Sequence, residues 1–179
     1  MAHYNNHYCW GDPDILRQIV SAFGDGHLCV VDVACGPNVT VPRTLFKRGA
    51  PFTYVAVDID AHHLHVQRRA IRDAHVHTIC GSSSALPLKA SSVNLFIFHH
   101  AIDDILETEG MAGIESSIKE SLRVTTVSGA IVLSHCVFDA DEFTKKISLR
   151  DIERLLLDNG PLKIEKRRAK QQEWLIARV

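Results

Sequence analysis

Two aspartates occupy matching positions in the first half of the chain. Asp32 lies at the end of one apolar run, and Asp58 follows the next, one strand-to-strand repeat further along. Ala34 and Gly36 come just after the first aspartate, and small residues in such a turn let the backbone approach a ligand closely. An acidic side chain after a second strand can accept hydrogen bonds from both hydroxyls of a ribose. The pattern therefore predicts a nucleotide-type ligand at Asp58. Capping of the next helix is the alternative, although Asp60 is better placed for it.

Histidine is the second chemically suggestive residue type, with 11 copies in the chain. His99 and His100 leave the predicted fourth strand, and His135 lies near the end of the predicted fifth strand. Histidine titrates near neutrality, so these three are candidate bases or pocket-lining residues. Two of these histidines and a nearby carboxylate could hold a divalent metal, the candidates being Asp103, Asp104, Asp139 and Asp141, but we expect no metal site.

The elements that must position these side chains alternate along the chain. Apolar runs predict strands at 28–33, 52–57, 75–80, 93–98 and 130–137, and a final antiparallel pair at 162–166 and 174–179. Helical patterns follow Asp12-Pro13, cover 41–47 and 61–73, run through Met111, Ile114, Ile118 and Leu122, and begin again at a capping box from Ser148 to Asp151. We therefore expect a single domain over 1–179 of the α/β class. Its doubly wound, mostly parallel seven-stranded sheet would end in an antiparallel hairpin and carry helices on both faces.

Composition narrows the class of protein. The 179 residues are 46% hydrophobic and carry a formal net charge of −1, so a nucleic-acid partner is not expected. A basic run at 163–170 is expected to protect a sheet edge rather than bind phosphate. No apolar run is long enough to span a membrane, and residues 1–10 do not resemble a signal peptide, so the expected location is the cytoplasm. The five cysteines form no CxxC pair, so we expect neither a disulfide framework nor a cysteine zinc site.

Five segments in order resemble the motifs of class I S-adenosylmethionine (SAM)-dependent methyltransferases. They are VVDVACG at 30–36, YVAVDID at 54–60, GSSSALPL at 81–88, VNLFIFHH at 93–100, and LRV at 122–124 followed by GA at 129–130. Four positions differ from the family pattern. Ala34 and Asn38 stand where it has glycine, and Ser82 and Asn94 stand where it has an acidic residue. The resemblance covers nearly the whole chain and implies SAM as cofactor.

The resemblance also implies roles for individual residues. The cofactor-binding positions would be Asp32, Ala34, Cys35, Gly36, Asn38, Asp58, Ile59, Ser82, Ser83 and His99. The acceptor pocket would lie where the fourth and fifth strands end, with His99, His100 and His135 as catalytic candidates. The buried carboxylate of Asp32 would meet the methionine ammonium of the cofactor, directly or through water, with a backbone amide as the alternative partner. The implied activity is methyl transfer from SAM to a small molecule.

Three alternative functions share parts of this pattern. A nicotinamide-dependent oxidoreductase would share the fold and Asp58, but the turn lacks G-x-G-x-x-G. A non-catalytic SAM-fold partner module and a methyltransferase acting on RNA or protein are the other two. The aromatic residues Tyr4, Tyr8 and Trp10 in segment 1–11 could fold across the cofactor as a lid. A second subunit, in a homodimer, could close the site instead.

Overall fold

Seven strands form one sheet in the computed structural model, which describes residues 13–71, 73–136, 147–160, 162–169 and 172–179. The strands are β1 (Leu28–Val33), β2 (Phe52–Asp58), β3 (Val76–Cys80), β4 (Val93–His99), β5 (Thr125–Cys136), β6 (Lys163–Ala169) and β7 (Gln172–Arg178). The helices are α1 (Pro13–Ser21), α2 (Thr40–Arg48), α3 (Ala61–Ala70), α4 (Ala101–Val124) and α5 (Leu149–Asn159).

The strand order across the sheet is β3-β2-β1-β4-β5-β7-β6. Strands β1 to β5 pair in parallel, whereas β7 runs antiparallel to both β5 and β6. The chain therefore reverses its winding direction at β1 and β4, which is the point where ligands bind in doubly wound sheets. The predicted fold class is confirmed, including the antiparallel hairpin.

Helices cover both faces of the sheet because the central strands are apolar on both sides. Val30 of β1 and Leu95 of β4 pack in the core that includes α1 and α2. Val31 of β1 and Phe96 of β4 pack in the opposite core, which includes α4 and α5. This two-sided burial explains why these strands read as continuous apolar runs.

Several element boundaries differ from the sequence prediction, among them the start of α4 at Ala101 rather than near Met111 and the end of β6 at Ala169 rather than at residue 166. Helix α3 ends at Ala70 rather than near residue 73, because the Asp73 side chain accepts a hydrogen bond from the His75 N–H at 2.7 Å and starts the turn into β3. Strand β5 begins at Thr125 rather than at residue 130, and its pairing with β4 shifts between Val93 and Leu95. Gly129 permits this irregularity, since a Cβ there would lie 2.5 Å from a Thr125 methyl group.

Two of the predicted helix caps are present. Asp60 caps α3 by accepting a hydrogen bond from the His62 N–H, and Ser148 and Asp151 form the capping box of α5. The proposed cap Asp12 and the aromatic segment 1–11 lie outside the described residues. No helix in the described part of the chain is long and apolar enough to cross a membrane.

Candidate functional site

The turn after β1 brings backbone atoms to the surface of a cleft. Ala34 and Gly36 both adopt left-handed backbone conformations, with φ of 46° and 55°. Such a φ is uncommon for alanine, so the surrounding contacts must hold the turn in place. One of these contacts is the hydrogen bond from the Cys35 N–H to the Val57 carbonyl at 3.2 Å, which ties the turn to β2.

Asp58 at the end of β2 organises this turn. One carboxylate oxygen, Oδ2, accepts a hydrogen bond from the Gly36 N–H at 2.8 Å, and the other, Oδ1, accepts one from the Asp60 N–H at 2.8 Å. His63 Nδ1 lies 3.4 Å from Oδ1. The side chain is almost fully buried but lines the cleft. A carboxylate has about four lone-pair sites, so it keeps acceptor capacity for a ligand.

Gln67 of α3 supports the turn, although it is not among the residues predicted from the sequence. Its Nε2 donates hydrogen bonds to the Gly36 carbonyl at 3.0 Å and to the Asn38 carbonyl at 2.7 Å. Gln67 is fully buried, with 0% of its surface exposed. The signal was present in the sequence, since Gln67 follows Leu64 at helical spacing on the buried face of α3. Asn38 itself turns away, accepting hydrogen bonds from the N–H and hydroxyl of Thr40.

Asp32 forms a buried pair with Tyr54 beneath the turn. The Tyr54 hydroxyl donates to Asp32 Oδ2 at 2.9 Å, while Oδ1 is buried and has no hydrogen-bond partner among the described residues. Burial raises the pKa of the Asp32 carboxyl to about 7, and the nearby Asp58 charge adds to the rise, which the Tyr54 hydrogen bond partly opposes. The unpartnered oxygen is the kind of acceptor that a cationic ligand group would satisfy.

The cleft over these residues has a volume of about 280 Å³. Residues from four chain segments line it: Ala34, Gly36, Asp58, Ile59, Asp60, His63, Gly81, Ser83, Asp104, Ile105, Glu107, Thr108 and Glu109. Five of these side chains carry carboxyl groups and none is a lysine or arginine. Burial, followed by the charges of Asp103, Asp58 and Glu107, raises the pKa of Asp104. The cleft is therefore acidic. Ile59 adds an apolar side chain to its lining and is 55% exposed.

Ser82 and Ser83, the two predicted serines after β3, are both hydrogen-bonded within the protein. Ser82 Oγ donates toward the Glu109 carboxylate, 2.8 Å from each of its oxygens. Ser83 lines the cleft, but its hydroxyl is paired with that of Ser117 at 2.7 Å. The predicted serines thus lie at the site, and Glu109 of α4 joins them. No sequence signal indicated Glu109, because its position depends on the path of α4.

His99 and His100 form a second group at the end of β4. Their rings lie 4.5 Å apart, and the His99 ring stacks on Trp174 at 5.9 Å. His99 Nδ1 lies 2.6 Å from Ser134 Oγ, and its buried Nε2 has no hydrogen-bond partner among the described residues. Burial, followed by the neighbouring His100, lowers the pKa of His99 to about 3, so the ring is neutral at physiological pH.

The remaining predicted residues are placed as follows. His100 Nε2 lies 2.9 Å from Gln172 Nε2, and His100 takes a left-handed conformation just before α4. His135 pairs with Glu173 in the register of β5 and β7, but its side chain lies outside what the structure describes.

Cys35 is buried, and burial raises the pKa of its thiol far above the usual range, as expected for a packed thiol. In the described part of the chain, no cluster of His, Cys, Asp and Glu side chains could hold a metal ion.

These residues fit an adenosine-type cofactor with a cationic tail. Asp58 offers carboxylate oxygens at the cleft wall, the turn at Ala34 and Gly36 offers close backbone approach, and Asp32 offers an unsatisfied buried oxygen. Of the predicted cofactor-binding residues, Ala34, Gly36, Asp58, Ile59 and Ser83 line one cleft. His99 and His100 form a separate group beyond it at the end of β4.

Comparisons with known proteins identify the family of this chain. A family model described as a methyltransferase domain matches residues 31–133. No curated protein matches the chain. A solved SAM-dependent methyltransferase from Aquifex aeolicus is similar with a TM-score of 0.73 and 15% identity, over 93% of this chain and 88% of that one. A TehB-like SAM-dependent methyltransferase from Corynebacterium glutamicum has a TM-score of 0.67 and 15% identity, over 90% and 84%. The [4+2]-cyclase SpnF has a TM-score of 0.66 and 16% identity, over 86% and 60%.

Proposed function

Because the chain belongs to the methyltransferase domain family and uses SAM as its cofactor, we propose that it transfers the methyl group of SAM to a small-molecule acceptor. The observation that supports a small-molecule acceptor is the charge of the cofactor cleft, which an acceptor must approach to reach the methyl group. Asp58, Asp60, Asp104, Glu107 and Glu109 line it, and no lysine or arginine is among its described lining residues. A polyanionic nucleic acid binds mainly through cations that neutralise its phosphates, so this surface opposes it.

The residues that would hold the cofactor follow from the cleft. The Asp58 carboxylate would accept hydrogen bonds from the ribose hydroxyls, and the turn at Ala34 and Gly36 would lie against the methionine portion. Asp32 Oδ1 would accept from the methionine ammonium, through water because the side chain is 2% exposed. When bound, SAM supplies a methyl group on a sulfonium that is electrophilic without help from the protein.

The chain would contribute alignment and control of the acceptor's proton. Alignment of the reacting atoms supplies much of the rate in such a transfer. We place the acceptor next to His99 and His100, beyond the end of β4. The His99 ring is neutral at physiological pH. In the tautomer whose Nδ1–H donates to Ser134 Oγ, the Nε2 atom, which has no partner among the described residues, can accept a hydrogen bond from a hydroxyl or thiol. Its low pKa makes it a weak base, so it suits an acidic acceptor such as a phenol or thiol better than an aliphatic alcohol.

The test is a methyl-transfer assay with SAM labelled on the methyl group. The purified chain would be given phenols, thiols, amines and carboxylic acids in separate pools, and total tRNA and a protein mixture in two more. We expect label in at least one small-molecule pool and production of S-adenosylhomocysteine that depends on that pool. Label only in tRNA or protein would contradict the small-molecule proposal.

A matched variant separates chemistry from binding. His99→Gln keeps a group that can bond Ser134 but has no titrating ring, so methyl transfer should fall while cofactor binding stays within about threefold. Because the fold is shared with a cyclase, the assay must follow the methyl group itself. Cofactor binding without S-adenosylhomocysteine formation in any pool would favour the non-catalytic module.

A further inference from the structure

Glu109 holds a fixed carboxylate at the end of the third strand. Its two oxygens each lie 2.8 Å from Ser82 Oγ, and Oε2 lies 3.3 Å from Ser84 Oγ. Ser82 and Ser84 contact each other at 2.6 Å, so the two hydroxyls and the carboxylate form one small network. The carboxylate lines the cleft, and these contacts leave it further acceptor capacity.

Two glycines of α4 make this position possible. Gly110 has φ 70° and ψ −168°, a backbone region that is essentially open to glycine alone, and it kinks the helix just after Glu109. Gly113 then lies beneath the glutamate, because a Cβ at Gly113 would be 2.2 Å from Glu109 Cβ. The kink and the missing Cβ together turn Glu109 toward Ser82 and away from the helical path it would otherwise follow.

The order of strands fixes what lies next to Glu109. The turn at Gly36 follows β1, Asp58 ends β2, and Gly81 follows β3, and these three strands are adjacent in the sheet. The Gly81 N–H donates to the Asp58 carbonyl at 2.9 Å, so the cleft continues from the second strand end to the third. Neighbouring strands are about 4.8 Å apart, which is the scale of a sugar ring or a base. With the ribose at Asp58, the base lies toward Gly81 and Glu109.

We propose that Glu109 selects adenine by accepting a hydrogen bond from the amino group on C6 of the base. An ionised carboxylate only accepts hydrogen bonds, so it favours a base with a donor at this position and opposes one with a carbonyl oxygen there. Ser82, in the segment after β3, has no charge, and its hydroxyl donates a hydrogen bond to Glu109. Glu109 of α4 therefore provides the acidic group that the segment after β3 lacks. This inference rests on the placement of the cofactor in the cleft proposed above.

The test compares two ligands that differ at C6 and N1 of the base. S-adenosylhomocysteine carries an amino group on C6 and an acceptor nitrogen at N1, and S-inosylhomocysteine carries a carbonyl oxygen on C6 and an N–H at N1. We expect the full chain to bind the adenosyl ligand at least about tenfold more tightly in calorimetric titration, as for hydrogen bonds to charged groups. In Glu109→Gln the side-chain amide can donate or accept, so the preference should fall to about threefold or less.

A matched control separates this effect from the loss of negative charge. Glu107→Gln removes a charge from the same helix and the same cleft, and it should keep the wild-type preference. Ser82→Ala, which removes the hydroxyl that holds Glu109, should reduce the preference in part. Equal binding of the two ligands by the wild type, or an unchanged preference in Glu109→Gln, overturns the proposal for Glu109. If the wild type binds neither ligand, or Asp58→Ala binds the adenosyl ligand normally, the cofactor placement fails as well.

Discussion

The Asp58 carboxylate accepts a hydrogen bond from the backbone N–H of Gly36 at 2.8 Å, and this contact joins the ends of the first two strands. The residue that we propose as the ribose ligand therefore also shapes the turn that we propose lies against the cofactor. The wall and the floor of the cleft therefore depend on one side chain.

Replacing Asp58→Asn should weaken S-adenosylhomocysteine binding at least about tenfold, because hydrogen bonds to a charged group contribute about 1.5–3 kcal/mol. The asparagine has one acceptor oxygen where the native residue has two, so the ribose and the two backbone N–H groups compete for it. Titration calorimetry measures the change. Asp14→Asn, on the exposed surface of α1, is the control and should bind normally. Normal affinity in a folded Asp58→Asn variant would show that the ribose assignment is wrong.

Replacing Gln67→Met should lower the free energy of unfolding by about 2 kcal/mol or more. Methionine fills a similar volume, but it leaves the carbonyls of Gly36 and Asn38 without their buried donor, and an unsatisfied buried group costs about 1–3 kcal/mol. Urea unfolding measures this difference. Gln18→Met on the exposed face of α1 removes only an exposed hydrogen bond from Arg167, so it should change stability by no more than about 0.5 kcal/mol. Equal stabilities for the two variants would show that the turn does not depend on Gln67.

Replacing Asp32→Asn should change how stability depends on pH. The native pKa of Asp32 is about 7 against an ordinary value of 3.8, so the native state holds its proton at pH values where the unfolded chain has lost it. The contribution of this carboxyl is therefore fully present below about pH 4 and is lost as the pH rises through 7, by up to about 4 kcal/mol. Asparagine stays neutral, so the variant should gain stability over the wild type between pH 5 and pH 8.

Urea unfolding of both proteins at several pH values measures this difference, and the titration of His99 cancels because both proteins contain it. A constant difference across the range would contradict the raised pKa. The same substitution should weaken cofactor binding at pH 8, since the neutral amide replaces a carboxylate next to the methionine ammonium. Stability and binding would then change in opposite directions at one residue.

Replacing Gly113→Ala should destabilise the protein by about 1–3 kcal/mol, because the new methyl group overlaps the Glu109 side chain. The displaced Glu109 should also lose part of its preference for the adenosyl ligand. Thermal unfolding and calorimetry measure the two effects. Gly26→Ala is the control, since a Cβ there meets nothing within 4 Å. A stable Gly113→Ala variant with wild-type ligand preference would contradict the fixed position of Glu109.

The sequence was sufficient for the strands because burial on both faces leaves a clear apolar pattern. Asp58 and Gly36 were also predictable, since they follow strand ends in a fold whose strand order is known to place ligands there. Helix α3 was predicted too long because Asp73 has a local hydrogen bond that competes with the helix.

Other parts of the site depend on contacts that periodicity does not describe. Glu109 reaches Ser82 only because of a left-handed residue at Gly110, and a single glycine in a helical pattern does not reveal its own conformation. The pairing of Asp32 with Tyr54 depends on the parallel register of β1 and β2. Such contacts join residues that are far apart in sequence, so they become visible only when the chain is folded.

Strand β6 has a consequence for how copies of this chain can meet. It lies at one end of the sheet, and Lys163, Lys166, Arg167 and Arg168 give it an excess of positive charge. Two copies that joined along this edge would bring like charges opposite each other, and the repulsion would oppose a sheet continuous across the pair. Association between copies would then have to use the helices or the opposite edge of the sheet, which is formed by β3. Fibrous stacking through β6 is opposed at neutral pH and becomes easier in concentrated salt, where the repulsion is screened.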